Sequence, residues 1–456
     1  MTSYATVDPS TGQLIREFAL ASDDEVRTAL DQSHETYLAW SATAVKDRAA
    51  VLARLADLYR RHAGELAALT TLEMGKPIIQ ARGEVALAAA IYEYYATAGP
   101  ALLDDEVLDI AGSGRALVRT APIGPLLGVM PWNFPYYQVA RFVAPNLLLG
   151  NTVLLKHAEN CPQQSLRIAE LVAEAGAASG VHQNVFLSHP QVADVIADPR
   201  LRGVSLTGSE RAGRVIGELA GRHLKKYVLE LGGSDPFIVL PSADLDKAVD
   251  AALIGRFGNA GQVCTSSKRL IVQTSVYDRF LSGFLAKLPA WRTGDPRREE
   301  TRLGPMSSLR ARAELAAQVD DAVAKGAQVH AGGAVPDGPG AYYPATVLTG
   351  VTPGMRAYRE ELFGPVAVVY QVGSVDEAVT LANDSPYGLG GAVFTGDDDE
   401  ARYVTDRLEV GMVGVNTTVK SAPDLPFGGV KNSGVGRELG RFGLDEFCNK
   451  KLVRLV

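Results

Sequence analysis

Leu126-Leu127-Gly128-Val129-Met130, then the apolar run from Tyr136 to Leu149, then Thr152-Val153-Leu154-Leu155: this stretch decides the fold. The outer segments have the length and β-branched or aliphatic content of buried strands, and the middle one is long enough for a helix. The alternation continues beyond it. Pro162 to Ala178 reads as a helix, Asn184 to Leu187 as a strand, and a short helix follows Pro190. Gly203 to Leu206 is a strand, Arg211 to Arg222 a helix, and Lys226 to Leu231 a strand. Strands and helices alternating at this spacing build a parallel, doubly wound α/β sheet with crossover connections. Such a sheet binds ligands beyond the carboxyl ends of its strands. Trp132-Asn133, Lys156, Thr207-Gly208-Ser209 and Glu230-Leu231-Gly232-Gly233 all fall at those ends.

On the amino-terminal side the first hundred residues read as mainly helical. Asp23-Asp24-Glu25 opens a run with Val26, Ala29 and Leu30 on one face, and Arg48 to Leu69 repeats apolar residues at three and four. Val107 to Val118, interrupted by Ala111-Gly112-Ser113-Gly114, predicts a β-hairpin. On the other side a second α/β series starts at Phe237-Ile238-Val239-Leu240 and runs to about Thr395. It contains helices around Leu309 to Lys325 and Ser374 to Asn383. The tail carries Pro426-Phe427-Gly428-Gly429, then Lys431 to Arg441, and a strand-like Lys451 to Val456.

A chain of 456 residues exceeds one typical domain, and 46% hydrophobic with 21% charged residues is ordinary for a soluble protein with a large core. The net charge of −7 argues against nucleic acid and anionic membranes as partners. No apolar run approaches the roughly 20 residues of a membrane span, and the first residues show no basic segment followed by an apolar one. Cys161, Cys264 and Cys448 have neither metal-ligand spacing nor a paired framework. No metal site is expected, and the thiols fit a reducing cytoplasm.

Cys264 sits in the small-residue turn Asn259-Ala260-Gly261-Gln262-Val263-Cys264-Thr265-Ser266, just before the strand-like Arg269 to Gln273. Locally it reads either as a buried small hydrophobe or as an approachable nucleophile. Glu230, closing an apolar strand, is either structural or a carboxyl whose burial makes it a useful base. Asn133, between Trp132 and Phe134-Pro135, either caps the next helix or donates to a developing oxyanion. Thr207-Gly208-Ser209, with Gly213 following, offers backbone amides at a helix start where a pyrophosphate fits, though no Gly-x-Gly-x-x-Gly is present. Lys156 and Glu159 are either a solvated turn or partners for ribose hydroxyls. His157 reads as structural.

Five motifs in order resemble the aldehyde dehydrogenase superfamily nearly end to end. They are Pro131-Trp132-Asn133-Phe134-Pro135, Glu230-Leu231-Gly232-Gly233, Gly261-Gln262-Val263-Cys264, Glu361-Leu362-Phe363-Gly364-Pro365 and Pro426-Phe427-Gly428-Gly429-Val430-Lys431. The resemblance implies an NAD(P)-binding domain over 1–101 and 121–232, a catalytic domain over 233–425, and an oligomerisation element over 102–120 and 426–456. It implies a homodimer or homotetramer acting on a small-molecule aldehyde. Cys264 becomes the nucleophile, Asn133 and the Cys264 N–H the oxyanion donors, and Glu230 the base that activates water. Glu361 takes the nicotinamide ribose, Phe363 packs by the nicotinamide, Lys156 binds the adenosine ribose and Ser209 the pyrophosphate, with Trp132 and Gly208 in the same cofactor site.

Lys156-His157-Ala158, the run Leu229 to Phe237 and Glu446-Phe447-Cys448-Asn449 look most like the short bacterial succinate-semialdehyde dehydrogenases. In that group the position of Arg141, eight residues after Asn133, holds an arginine that binds the substrate carboxylate, as a guanidinium fork suits. A surface ion pair is the alternative for Arg141. The chain departs from the group at Gly258, where other members carry a second arginine, with Arg256 nearby. Ser266 excludes a local disulfide with Cys264. The expected reaction is oxidation of succinate semialdehyde to succinate, with another short or medium-chain aldehyde as the alternative. Glu159, whose carboxylate accepts from ribose hydroxyls and repels a 2′-phosphate, predicts NAD ahead of NADP. A nucleotide-binding structural protein and a thiol hydrolase are the rival classes. The joint presence of Cys264, Glu230 and Asn133 opposes the first, and the second needs no nicotinamide site.

Overall fold

The computed structural model describes residues 4–111 and 113–455. Its first sheet places Lys226–Glu230, Gly203–Thr207, Pro125–Met130, Thr152–His157 and His182–Asn184 side by side, all parallel. The chain enters at Pro125–Met130, winds outward to His182–Asn184, then returns to the other side of the first strand. That reversal opens a crevice between Pro125–Met130 and Gly203–Thr207, where doubly wound sheets bind ligands. Successive leucines face opposite layers: Leu126 and Leu155 join one core, Leu127 and Leu154 the other. Each such burial contributes about 1.5–3 kcal/mol, and both faces are covered because parallel strands are apolar on both sides. The Pro135–Leu149 helix, buried along its whole length, covers one face with Val45–Arg61 and Ile78–Thr97. Asp23–Ala42, His189–Ala197 and Glu210–Arg222 cover the other.

A second, seven-stranded sheet is ordered Gln328–Ala331, Thr346–Thr349, Val366–Val372, Ser267–Gln273, Asp235–Val239, Gly390–Phe394 and Met412–Val415. All its pairings are parallel except the first. A third, antiparallel sheet joins Glu106–Leu108, Arg115–Pro122 and Cys448–Leu455. Of the 426–456 stretch, only this last strand belongs to it: Gly434–Val435 instead pairs with Glu230 and Leu229 on the edge of the first sheet. The tail thereby closes over the carboxyl end of the strand that carries Glu230.

Several local expectations shift. Tyr4–Asp8 and Gln13–Phe18 form a hairpin that the sequence reading passed over, because Gln13–Phe18 is almost wholly exposed and shows no apolar alternation. The Arg48–Leu69 run breaks at His62 into helices Val45–Arg61 and Ala63–Met74. The strand expected over Asn184–Leu187 lies at His182–Asn184; Val185 and Leu187 are buried in the core without continuing the ladder. The terminal strand begins at Cys448 rather than Lys451. Val456, its expected end, and Gly112 of the hairpin turn lie outside the described residues, as do residues 1–3 of the amino-terminal segment. No helix among the described residues is long and apolar enough to cross a membrane.

Candidate active site

The crevice of the first sheet faces the loop that precedes Ser267–Gln273, and a cavity of about 260 Å³ lies between them. It brings Trp132, Asn133, Gly208, Ser209, Cys264, Glu361 and Phe363 together. Their sequence separation is bridged because four segments meet here: the ends of Pro125–Met130 and Gly203–Thr207 in the first sheet, and the loops entering Ser267–Gln273 and Val366–Val372 in the second.

Cys264 is presented by a strained turn. Asn259, Ala260 and Gly261 have φ of 52°, 53° and 70°, in the left-handed region that non-glycine residues seldom adopt. A Cβ at Gly261 would collide with the Gly364 carbonyl, so this glycine allows the Cys264 loop to touch the Glu361–Pro365 segment. Lys268, itself buried, pins the loop by donating to the carbonyls of Val263 at 2.9 Å and Cys264 at 2.8 Å, and pairs with Glu361 at 3.0 Å. Burial pushes the Cys264 thiol up to about 12, against the pull of Arg141 and Lys268.

Asn133 is held at its carbonyl and at both atoms of its side-chain amide. Its carbonyl accepts from Lys76 Nζ and Asn259 Nδ2, both at 2.9 Å. Its Nδ2 donates to Gln262 O at 3.1 Å, and its Oδ1 accepts from Gln138 Nε2 at 3.0 Å. Lys76 also pairs with buried Glu84, which accepts from the backbone N–H groups of Tyr136 and Tyr137 at 2.8 and 3.3 Å. This pair therefore ties the start of the Pro135–Leu149 helix to the Asn133 backbone.

Glu230 ends its strand 2% exposed, and neither carboxylate oxygen has a protein hydrogen-bond partner. Burial, assisted by the charge of Glu438 and opposed by Arg141, raises its pKa well above the carboxylate range. An acid so disposed takes up a proton readily.

An arrangement of one thiol, one fixed amide and one protonatable carboxyl suits acyl chemistry on a carbonyl carbon. A family model described as "Aldehyde dehydrogenase family" matches residues 1–453. The chain belongs to the aldehyde dehydrogenase family. It is 54% identical to the succinate-semialdehyde dehydrogenase [NADP(+)] of Deinococcus radiodurans over 451 residues, 99% of this chain and 94% of that protein. It is 46% identical to succinate-semialdehyde dehydrogenase [NADP(+)] 1 of Mycobacterium tuberculosis, covering 98% of this chain and 99% of that one. Among solved structures it matches the succinic semialdehyde dehydrogenase of Streptococcus pyogenes in complex with NADP+. The TM-score there is 0.97 at 42% identity, over 99% of both chains. The chain is thus an NAD(P)-dependent aldehyde dehydrogenase.

The crevice of this aldehyde dehydrogenase fits a dinucleotide. The Glu210–Arg222 helix, capped by Ser209 Oγ accepting from Ala212 N at 3.3 Å, points its amino terminus between two cavities. One is the Cys264 cavity, walled by the edge-to-face pair Trp132 and Phe363. A Cβ on Gly232 would collide with the Glu361 carboxylate there, so only glycine leaves that acceptor accessible. The other, about 250 Å³, is lined by apolar Val192, Leu206 and Ile216 with Lys156, His189 and Arg211 at its edge. Glu159 pairs with Lys156 at 3.0 Å and lies 3.5 Å from His189. His157 is fully buried, pushed down to about 4 by burial, and bonded to Pro135 O at 3.2 Å, which is a structural role.

Arg141 is not at the surface, so the surface-ion-pair alternative fails. It is 1% exposed, paired with Glu438, donates to Tyr137 Oη at 3.2 Å and Thr207 Oγ1 at 3.1 Å, and stacks on Phe427 at 4.4 Å. Burial opposes its charge, but Glu438 and Tyr137 more than offset this and hold it protonated. Tyr137 Oη in turn donates to Ser421 Oγ at 2.7 Å. Arg256 cannot replace the arginine absent at 258. It is fully buried and spends its donors on Val366 O, Leu362 O, Gly364 O and Gly261 O. Gly258 itself faces open space, beside a cavity of about 480 Å³ lined by Phe134, Val263 and Arg302.

Sequence reading missed Lys76, Glu84, Gln138, Lys268 and Glu438. The available signal was charge or amide inside apolar runs: Lys268 enters a strand, and Gln138 precedes Arg141 by about one helical turn.

Proposed function

We propose that this aldehyde dehydrogenase oxidises succinate semialdehyde to succinate with NADP+, as a cytoplasmic homo-oligomer. The observation that carries the substrate is Arg141, a permanently charged guanidinium buried on the helix that follows Asn133 and relayed through Tyr137 Oη to Ser421. Arg141 is paired with Glu438 and does not itself line the Cys264 cavity, so its support for an aldehyde ending in a carboxylate runs through the polar Tyr137 and Thr207 hydroxyls that it orients.

The Cys264 thiolate attacks the aldehyde carbon, forming the C–S bond. Asn133 Nδ2 and the Cys264 N–H hold the resulting oxyanion, the amide already fixed by Gln262, Gln138 and Lys76. The nicotinamide, when bound, accepts hydride. Glu361 accepts from its ribose, Phe363 and Trp132 wall the ring, Gly208 and Ser209 hold the pyrophosphate, and Lys156 with Glu159 receives the adenosine ribose. Cys264 retains the acyl group as a thioester, and Glu230 takes the proton of the water that cleaves it.

The cofactor proposal reverses the NAD preference expected from Glu159. The relatives named above carry NADP(+) in their names, and Glu159 is not a free carboxylate. Lys156 neutralises much of its charge, and Arg211 stands at the edge of the same cavity. Exposed Val107, Leu452 and Leu455 on the third sheet support assembly through that element.

Gly258 favours a second reading, a longer ω-carboxylated or uncharged aldehyde reaching the open cavity beside it. A panel of succinate semialdehyde, its longer homologues and uncharged aldehydes of matched length, followed by nicotinamide reduction with NAD+ and NADP+, separates the two. Arg141→Ala is expected to raise KM for succinate semialdehyde at least about tenfold, as loss of a charged hydrogen bond worth about 1.5–3 kcal/mol implies, and to leave the uncharged aldehyde little changed. An equal rise for both removes the carboxylate role.

A further inference from the structure

Gln138 is oriented by a chain of constraints that begins at a backbone carbonyl. Gln262 O only accepts, so the Asn133 amide must turn its Nδ2 toward it, 3.1 Å away. Asn133 Oδ1 then faces Gln138, which must offer Nε2, at 3.0 Å. Gln138 Oε1 is left facing the other way. It has no protein partner, and its residue, 1% exposed, is among those lining the cavity that contains Cys264 and Thr207.

A buried acceptor without a donor costs free energy unless a ligand supplies one. The aldehyde carbonyl and the thioester have no donor to give, but water has two. Asn259 Oδ1 and both oxygens of Glu230 are also unpartnered around this site; of these only the Glu230 carboxylate can take up a proton, and its neighbours Leu231 and Gly232 line the same cavity. We infer that Gln138 is the positioning residue for hydrolysis: its Nε2 fixes the Asn133 amide, and its Oε1 holds one hydrogen of the water whose other hydrogen Glu230 removes. The water oxygen bonds to the thioester carbon, and the C–S bond breaks with its electron pair on Cys264 sulfur. One proton passes to Glu230, and the second stays on the product carboxyl until released. The inference rests on the reading of Glu230 as the base toward water.

Two substitutions separate the two halves of the side chain. Gln138→Met removes both. Gln138→Glu keeps an acceptor and loses the donor to Asn133. Each is mixed rapidly with succinate semialdehyde and NADP+, and separately with propanal. The first-turnover burst of reduced nicotinamide is recorded, and the acyl group on Cys264 is weighed by intact mass spectrometry. Gln138→Met is expected to lower steady-state turnover at least about tenfold and to accumulate acyl-enzyme, which added hydroxylamine discharges at near wild-type rate. Gln138→Glu is expected to slow the burst without accumulating acyl-enzyme. Melting temperature and NADP+ affinity, by quenching of protein fluorescence, should match wild type in both.

The inference is overturned if Gln138→Met slows the burst and turnover equally with no acyl-enzyme. It is overturned equally if the substitution weakens NADP+ binding several-fold while acyl occupancy is unchanged, since the acceptor then serves the cofactor. Glu230→Gln run alongside isolates the base. If it fails to accumulate acyl-enzyme while Gln138→Met does, the reading of Glu230 is wrong and the water contact of Gln138 stands.

Discussion

The two ends of the cofactor crevice are built differently. At the Cys264 end, Asn133, Glu230, Arg141 and Lys268 are each less than 5% exposed; Asn133, Arg141 and Lys268 are held by hydrogen bonds or ion pairs, and the Glu230 carboxyl alone is left without a protein partner. At the Lys156 end, Glu159 and His189 are 34% and 74% exposed in their side chains, and face one another at 3.5 Å from a turn and the start of the His189–Ala197 helix. Buried polar groups must be satisfied, which leaves them few geometries and makes each a sharp determinant of chemistry. Partly exposed charges are softened by water and by their neighbours, so no single one decides the ligand. The first end therefore fixes the reaction class, and the second tunes the cofactor by small, additive amounts.

The strongest way to break this contrast is to remove the base at the buried end. Glu230→Gln keeps shape and abolishes proton uptake; turnover should fall about 10²–10⁴-fold, the usual contribution of a positioned general base. Rapid-mixing experiments should still show a burst of reduced nicotinamide near one equivalent per site. A burst that disappears with turnover would assign Glu230 to the attack of Cys264 instead.

A smaller effect probes burial of the thiol itself. Desolvation, which penalises the thiolate, pushes the Cys264 thiol up to about 12. Only the thiolate alkylates, so inactivation by iodoacetamide should accelerate about tenfold per pH unit through the range where an ordinary thiol, with pKa about 8.5, would plateau. The alkylated residue is identified by peptide mass and is expected to be Cys264, since Cys161 and Cys448 are buried. A plateau between pH 8 and 9 would show that Arg141 and Lys268 outweigh desolvation.

The same physical contrast governs what could be read from sequence. Strand and helix periodicity is local, so the doubly wound sheet was legible, and so were residues at strand ends, because topology dictates where those ends meet. Asn133, Gly208 and Ser209, read at such ends, converge on one cavity with Cys264, Glu361 and Phe363, of which the last two came from the family resemblance alone. The partners that hold them were not legible. Lys76 reaches Asn133 from 57 residues away, and Gln138 and Lys268, only five and four residues from Asn133 and Cys264, do so by turning back across a helix start and a strand start that no periodicity records. The Gln13–Phe18 strand escaped for the opposite reason: it buries nothing, and periodicity records only burial. Glu159 was read as a lone charge, since neither the turn of Lys156 back toward it nor the approach of His189 is written in any local pattern.

That last misreading supplies the smallest and most discriminating test. An unpaired carboxylate beside a 2′-phosphate at about 4 Å costs roughly 1 kcal/mol in water and about 4 kcal/mol near a partly shielded protein surface. At 1.4 kcal/mol per tenfold, the upper figure would give Glu159→Gln a several-hundred-fold gain in preference for NADP+. With Lys156 at 3.0 Å the negative charge is largely spent before any cofactor arrives. Substitution also frees Lys156 for the phosphate, so the ratio of kcat/KM for NADP+ over NAD+ should rise, but by less than about tenfold. Lys156→Met in the same background should cancel the rise, because the gain works through the released ammonium. A gain of hundreds-fold from Glu159→Gln alone would mean that the carboxylate acts unscreened, and that the exposed end of the crevice discriminates as sharply as the buried one.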